Sequence, residues 1–128
     1  MRSLARIVPA ALVAVIAGAC ATVAARAPLT DVPAGTYVLV EPVSDQYNAV
    51  AINEHGFVAR MGNATHAGRH WVDPDGRLRM ADEAGPCAGQ ESIWTHQYAN
   101  NRVTLELIQD LCTVRATPFP QRMVYERR

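Results

Sequence analysis

The chain has 128 residues, with 12 arginines and no lysine set against 12 acids, for a formal net charge of zero. The arginines are scattered (Arg60, Arg69, Arg77, Arg79, Arg102, Arg115), and only Arg127-Arg128 cluster. No basic stripe for a phosphate backbone exists, so nucleic acid is not an expected partner.

The first element is not part of the fold. Met-Arg-Ser-Leu-Ala-Arg is followed by Ile7 to Ala19, thirteen residues without a charge. A positive n-region, a short apolar run and small residues are the grammar of a secretion signal. Thirteen residues make roughly 20 Å of helix, too short for a hydrocarbon core of about 30 Å. Residues 1–19 therefore read as a signal-peptide helix. Ile16-Ala-Gly-Ala-Cys20 resembles a bacterial lipobox, with Ala17 where Leu is usual, and Ala17-Gly18-Ala19 also fits ordinary A-x-A cleavage. Cysteine parity favours the lipobox. In an oxidising compartment Cys87 and Cys112 pair and leave Cys20 odd, and a lipid on Cys20 removes the spare thiol. The expectation is an exported lipoprotein, periplasmic or at the cell surface, held to a membrane through Cys20. A soluble secreted form is the alternative.

The 109 residues from Cys20 onward suffice for one small domain. Ala21 to Pro33 is rich in Ala, Thr and Pro, so residues 20–33 read as a flexible tether and 34–128 as the folded domain. No segment after Ala34 carries a helical stripe. Short apolar runs alternate with turn signals instead, the pattern of an all-β antiparallel meander. The expected strands are Gly35–Glu41, Ala49–Asn53, Phe57–Met61, Thr65–Val72, Arg77–Ala81, Ser92–Tyr98, Arg102–Ile108 and Gln121–Glu126. Asp73-Pro74-Asp75-Gly76 is the strongest turn, because proline presets φ and glycine accepts a positive one. Eight strands joined by short turns are up-and-down, and such a sheet hides its edges by closing into a barrel. A Cys87–Cys112 bridge spanning 25 residues would staple this small core.

The stretch from Gly76 to Arg115 resembles a family of small exported lipocalin-like domains of bacterial envelope proteins. The residues that carry the resemblance are Asp75-Gly76, Leu78-Arg-Met-Ala-Asp82-Glu83, Gly85-Pro86-Cys87, Trp94 with His96, and Val103-Thr-Leu-Glu-Leu-Ile-Gln-Asp110-Leu-Cys112-Thr-Val-Arg115. Ser92 stands where the pattern usually has glycine, and His96 where tryptophan is commoner. The resemblance implies a lipocalin-like barrel with Cys87 and Cys112 bonded, and no activity. Asp110 has its own local reason: closing a strand, its carboxylate can accept backbone N–H bonds of the following turn.

Candidate chemistry is sparse. His66 and His70 lie about 13 Å apart along one face of a strand, too far for one metal ion. The acids Asp73, Asp75, Asp82 and Glu83 sit in turn-like segments, and no nucleophile motif or phosphate loop occurs. No enzyme, metal site or cofactor is expected. Trp94, His96 and Tyr98 alternate on one face, and Tyr37, Phe57 and Trp71 are the residues that would join them inside a barrel. Such a face either lines a pocket for a small apolar ligand or fills the interior. The rival function is a protein-binding envelope module, such as an inhibitor of a lytic enzyme or protease. An enclosed cavity would favour the first, an exposed apolar patch the second.

Overall fold

The computed structural model describes residues 26–46 and 48–128. The expected signal peptide and Cys20 lie outside the described residues. Eight strands follow in chain order: β1 (Gly35–Glu41), β2 (Asn48–Ile52), β3 (Gly56–Met61), β4 (Ala64–Val72), β5 (Leu78–Asp82), β6 (Glu91–Ala99), β7 (Arg102–Asp110) and β8 (Arg122–Arg127). Each pairs antiparallel with its neighbour, and β8 returns to β1 to close a barrel. The closing seam runs from Tyr37 opposite Arg127 to Glu41 opposite Val124, with an irregularity between Leu39 and Glu41. The expected all-β meander is thus the observed fold, and its closure leaves no exposed sheet edge.

Turn chemistry sets the register locally. At the β4–β5 turn the Asp73 carboxylate accepts from Asp75 N and Arg77 N, both at 3.0 Å, while Gly76 takes φ 80°. The β6–β7 hairpin turns on Asn100 and Asn101, with φ of 52° and 64°, the positive pair that a tight hairpin demands. From these turns the two-residue alternation of each strand sends one set of side chains inward. Tyr37, Val50, Phe57, Leu78, Trp94, Val103, Leu105 and Met123 form the core, with Trp94 and Tyr37 1% and 0% exposed.

Both ends of the barrel are plugged, one of them by residues expected to be tether. Leu29 and Val32 are 3% and 4% exposed and belong to the core cluster. Ala27 bridges to Val72 through bonds of 3.0 and 2.8 Å, and Leu29 N donates to Glu54 O at 3.0 Å. The fold therefore begins near Ala27, seven residues before the expected boundary. The reason is physical: this end of the ring exposes apolar interior that two isolated side chains in a Pro-rich stretch are enough to cover. We call it the near end, where the N-terminal segment, the β2–β3, β4–β5 and β6–β7 turns lie.

The far end is closed by the long β7–β8 loop. Phe119 packs edge-on against Trp94 with ring centroids 5.2 Å apart, and the Arg115 guanidinium lies 4.0 Å above Phe119. Arg115 also donates to Asp110 at 2.6 Å and reaches Asp82 at 3.6 Å, so one side chain ties β5, β7 and the plug together. The Cys87–Cys112 disulfide joins the β5–β6 and β7–β8 loops at this end. Cys112 N donates to the Asp110 carboxylate at 3.1 Å, the turn role expected of that acid.

Two consequences can be measured. Replacing Cys87 or Cys112 with serine should lower the unfolding free energy by roughly 3 kcal/mol, in proportion to the loop released into the unfolded chain. Denaturant midpoints of the oxidised protein and of each variant check it. Gly68→Ala should cost about 1 to 3 kcal/mol, because a Cβ there would overlap the Phe57 ring and stand 2.5 Å from Ala81 O. A thermal melt reads that loss directly, whereas Gly76→Ala should act only through its positive φ, having no atom within 4 Å.

Candidate functional site

The six residues expected to line a ligand face divide into three places. Tyr37, Phe57 and Trp94 meet inside the barrel as core. Trp94 Nε1 donates to Ser92 Oγ at 2.8 Å, and the Tyr37 hydroxyl donates to Pro33 O at 2.6 Å, so their polar atoms are satisfied within the protein. His96 and Tyr98 continue the β6 face toward the near end. There His96 Nε2 meets the Asp31 carboxylate at 2.9 Å, and the Tyr98 hydroxyl donates to Asn101 Oδ1 at 3.3 Å. These two hold the near-end plug and the hairpin.

Trp71 does not join them. Alternation along β4 sends Gly68 and His70 inward and leaves Trp71 on the outer wall, opposite Arg79 of β5. Its partner is Arg26, whose guanidinium lies 4.1 Å above the indole. The expected inward Trp71 is thus corrected by one residue of strand parity. His70 fills that place and stacks against Phe57 at 6.4 Å.

Two concavities lie on the outside of the barrel. One, about 670 Å³, crosses the outer faces of β6, β7, β8 and the end of β1. Its charges neutralise one another: Arg102 pairs with Glu126 at 2.9 Å and Arg122 with Glu41 at 2.6 Å. The second, about 220 Å³, opens at the near end between Arg26, Pro28, His55, Arg69 and Trp71. The far end differs from both. It exposes Val43 (94%), Val114 (63%), Met61 (49%) and Leu111 (39%), on the β1–β2 loop, the β7–β8 loop and the end of β3.

The remaining ionisable groups with fixed geometry serve the frame. Arg79 spans Asp73 at 3.0 Å and Glu91 at 2.8 Å, pinning the β4–β5 turn to β6. Burial works to raise the Asp73 pKa, but hydrogen bonds from Arg77 N, Arg79 and Asp75 N outweigh it and hold the carboxyl below its usual range. None of these pairs has an obvious signal in sequence, since the partners are brought together only by strand register.

No protein-family model, curated protein or solved structure matches the chain.

His70 supplies a pH test. It is 4% exposed, and its Nε2 lies 2.9 Å from Gly56 O, which can only accept, so Nε2 carries the proton and Nδ1 is the bare nitrogen. Burial pushes its pKa down. The unfolded chain therefore binds the extra proton first, near pH 6.5. Stability from this residue is complete above that value and declines as pH falls toward the folded pKa. The melting midpoint should fall as pH is lowered below about 6.5, and His70→Gln, whose amide can still donate to Gly56 O, should flatten that part of the profile. An unaltered profile in the variant would refute the assignment.

Proposed function

We propose that this chain is an exported, non-catalytic envelope protein, anchored by a lipid on Cys20, whose lipocalin-like barrel is a scaffold for binding a protein partner. The observation that carries the reading is the disposition of apolar side chains. Those inside are consumed as core, with Tyr37, Phe57 and Trp94 occupying the space a small apolar ligand would need. Of those left exposed, Val43, Met61, Leu111 and Val114 lie at the far end, away from the N-terminal segment, while Val58 and Ile108 stand on the outer wall along β3 and β7. Exposed apolar patches on a small domain mark contact surfaces. An anchor at Cys20 would hold the near end toward the membrane and present the far end outward.

Other features support export. A disulfide persists in an oxidising compartment. The β7–β8 loop, which carries Leu111 and Val114, is stapled by it and by the Arg115 clasp, so that part of the surface is preorganised and binds at little entropic cost. The acids and arginines with fixed geometry are spent on strand-to-loop ties, which supports a non-catalytic role.

A photo-cross-linking amino acid substituted for Val43 or Val114 in the full chain, expressed in cells, should capture a protein of one defined mass. The same substitution for Arg77, at the near end, should not. Equal capture at all three positions, or a stoichiometric small molecule retained in a native mass spectrum of the gently purified protein, would overturn the protein-binding reading. Intact mass should show acyl chains on Cys20, and an unlipidated product beginning beyond it would overturn the anchor alone.

A further inference from the structure

The near-end cleft has a composition unlike the rest of the barrel surface. Arg26 and Arg69 both line it, and neither pairs with a carboxylate among the described residues. At this end Asp31 holds His96 and Asp73 holds Arg79, while Arg77 is exposed on the β4–β5 turn outside the cleft. Glu54 stands beside the cleft, 4.0 Å from His55, and Asp75 is exposed on the neighbouring turn. Trp71 forms one wall, an indole half-exposed on the outside of a barrel with Arg26 over its face. Pro28 closes the other side, held in place because Ala27 and Leu29 are bonded to Val72 and Glu54.

The position of the cleft along the chain matters as much as its chemistry. Arg26 lies six residues after Cys20, a span of at most about 22 Å even when fully extended. A barrel tethered at Cys20 keeps this end, and not the apolar far end, within reach of the bilayer surface. Two unpaired guanidiniums match a phosphate, which arginine binds with forked N–H donors. Tryptophan is the side chain that settles at the headgroup level, apolar body inward and N–H outward.

We propose that the cleft between Arg26, Arg69, His55 and Trp71 takes the phosphate of an anionic phospholipid headgroup, seating the near end of the barrel on the membrane. The arginines supply the charge, the Trp71 face supplies the apolar contact, and the cleft sets the orientation that a flexible acyl anchor leaves free. Acyl chains on Cys20 would hold the chain to the bilayer without fixing its orientation, and a basic contact at the surface adds attraction to anionic lipid. This inference rests on the membrane-anchored reading for its setting, but its test does not require a lipid on Cys20.

The test uses the chain from Cys20 to Arg128 carrying Cys20→Ser, which retains all eight strands, both plugs and the disulfide. Co-sedimentation with vesicles of equal parts phosphatidylglycerol and phosphatidylcholine should show binding that is about tenfold or more stronger than to phosphatidylcholine alone. Arg26→Glu and Arg69→Glu should each remove most of that difference, while Arg60→Glu, the same charge change toward the far end of β3, should keep it. Both cleft arginines are exposed, so the variants should melt like the parent. Trp71 emission should shift to the blue on the anionic vesicles and stay unshifted in Arg69→Glu. Equal binding to both vesicle types, no binding to either, or retention of the preference in both cleft variants would overturn the proposal. Displacement of the vesicles by inorganic phosphate at low millimolar concentration would replace it with a site for a free anion. Loss of acylation at Cys20 in cells would count against the anchor and leave these vesicle results standing.

Discussion

Everything in this protein depends on closing eight short strands into a ring. An eight-stranded barrel has an interior just wide enough for side chains to fill, and that space must be filled by one layer of residues from every strand. Trp94 and Tyr37 are the two largest side chains completely withdrawn from solvent, one from β6 and one from β1, on separate parts of the wall. Gly68 has no side chain because the Phe57 ring takes its place and the β5 backbone lies behind it. A ring packed to this extent leaves its outer wall and its two ends as the surfaces open to contact.

A closed ring still has two open ends, and the chain treats them differently. The near end is covered by a short extended segment that contributes Leu29 and Val32 and is fastened through Asp31 to His96. The far end is covered by a longer loop whose Phe119 is sandwiched between Trp94 and Arg115, with Asp82, Asp110 and the disulfide holding Arg115 and the loop in register. Because Asp82, Cys87, Asp110, Cys112 and Arg115 converge at one end, they act as a single clasp. The asymmetry leaves Arg26 and Arg69 beside Trp71 at the near end and exposed Val43, Met61, Leu111 and Val114 at the far end, the two surfaces on which the proposed membrane and partner contacts rest.

Much of this was legible locally. All eight strands stand within about two residues of their expected bounds, since alternation and turn residues are properties of the chain itself. Asp73-Pro-Asp-Gly76 turned as its residue types demand, and Asp110 capped its turn as a carboxylate there should. The candidate site was legible only in part. Trp94, Tyr37 and Phe57 were placed correctly indoors, but alternation alone could not say that they would fill the interior. Aromatic character alone points Trp71 inward, whereas strand parity puts it on the outer wall and gives the inward place to His70. Leu29 and Val32 carried no periodic signal, being two apolar residues in a stretch of Pro, Ala and Thr.

Sequence by itself therefore determined the class of structure and the strand order, since these follow from two-residue periodicity and from φ preferences of single residues. Only the tertiary structure decided what lies at the ends of the ring and on its outer wall. Arg26 over Trp71 and Arg115 between Asp82 and Asp110 join residues that the chain keeps apart. Contacts of that kind depend on how far the sheet turns before β8 meets β1, a quantity set by the whole barrel and encoded in no one segment.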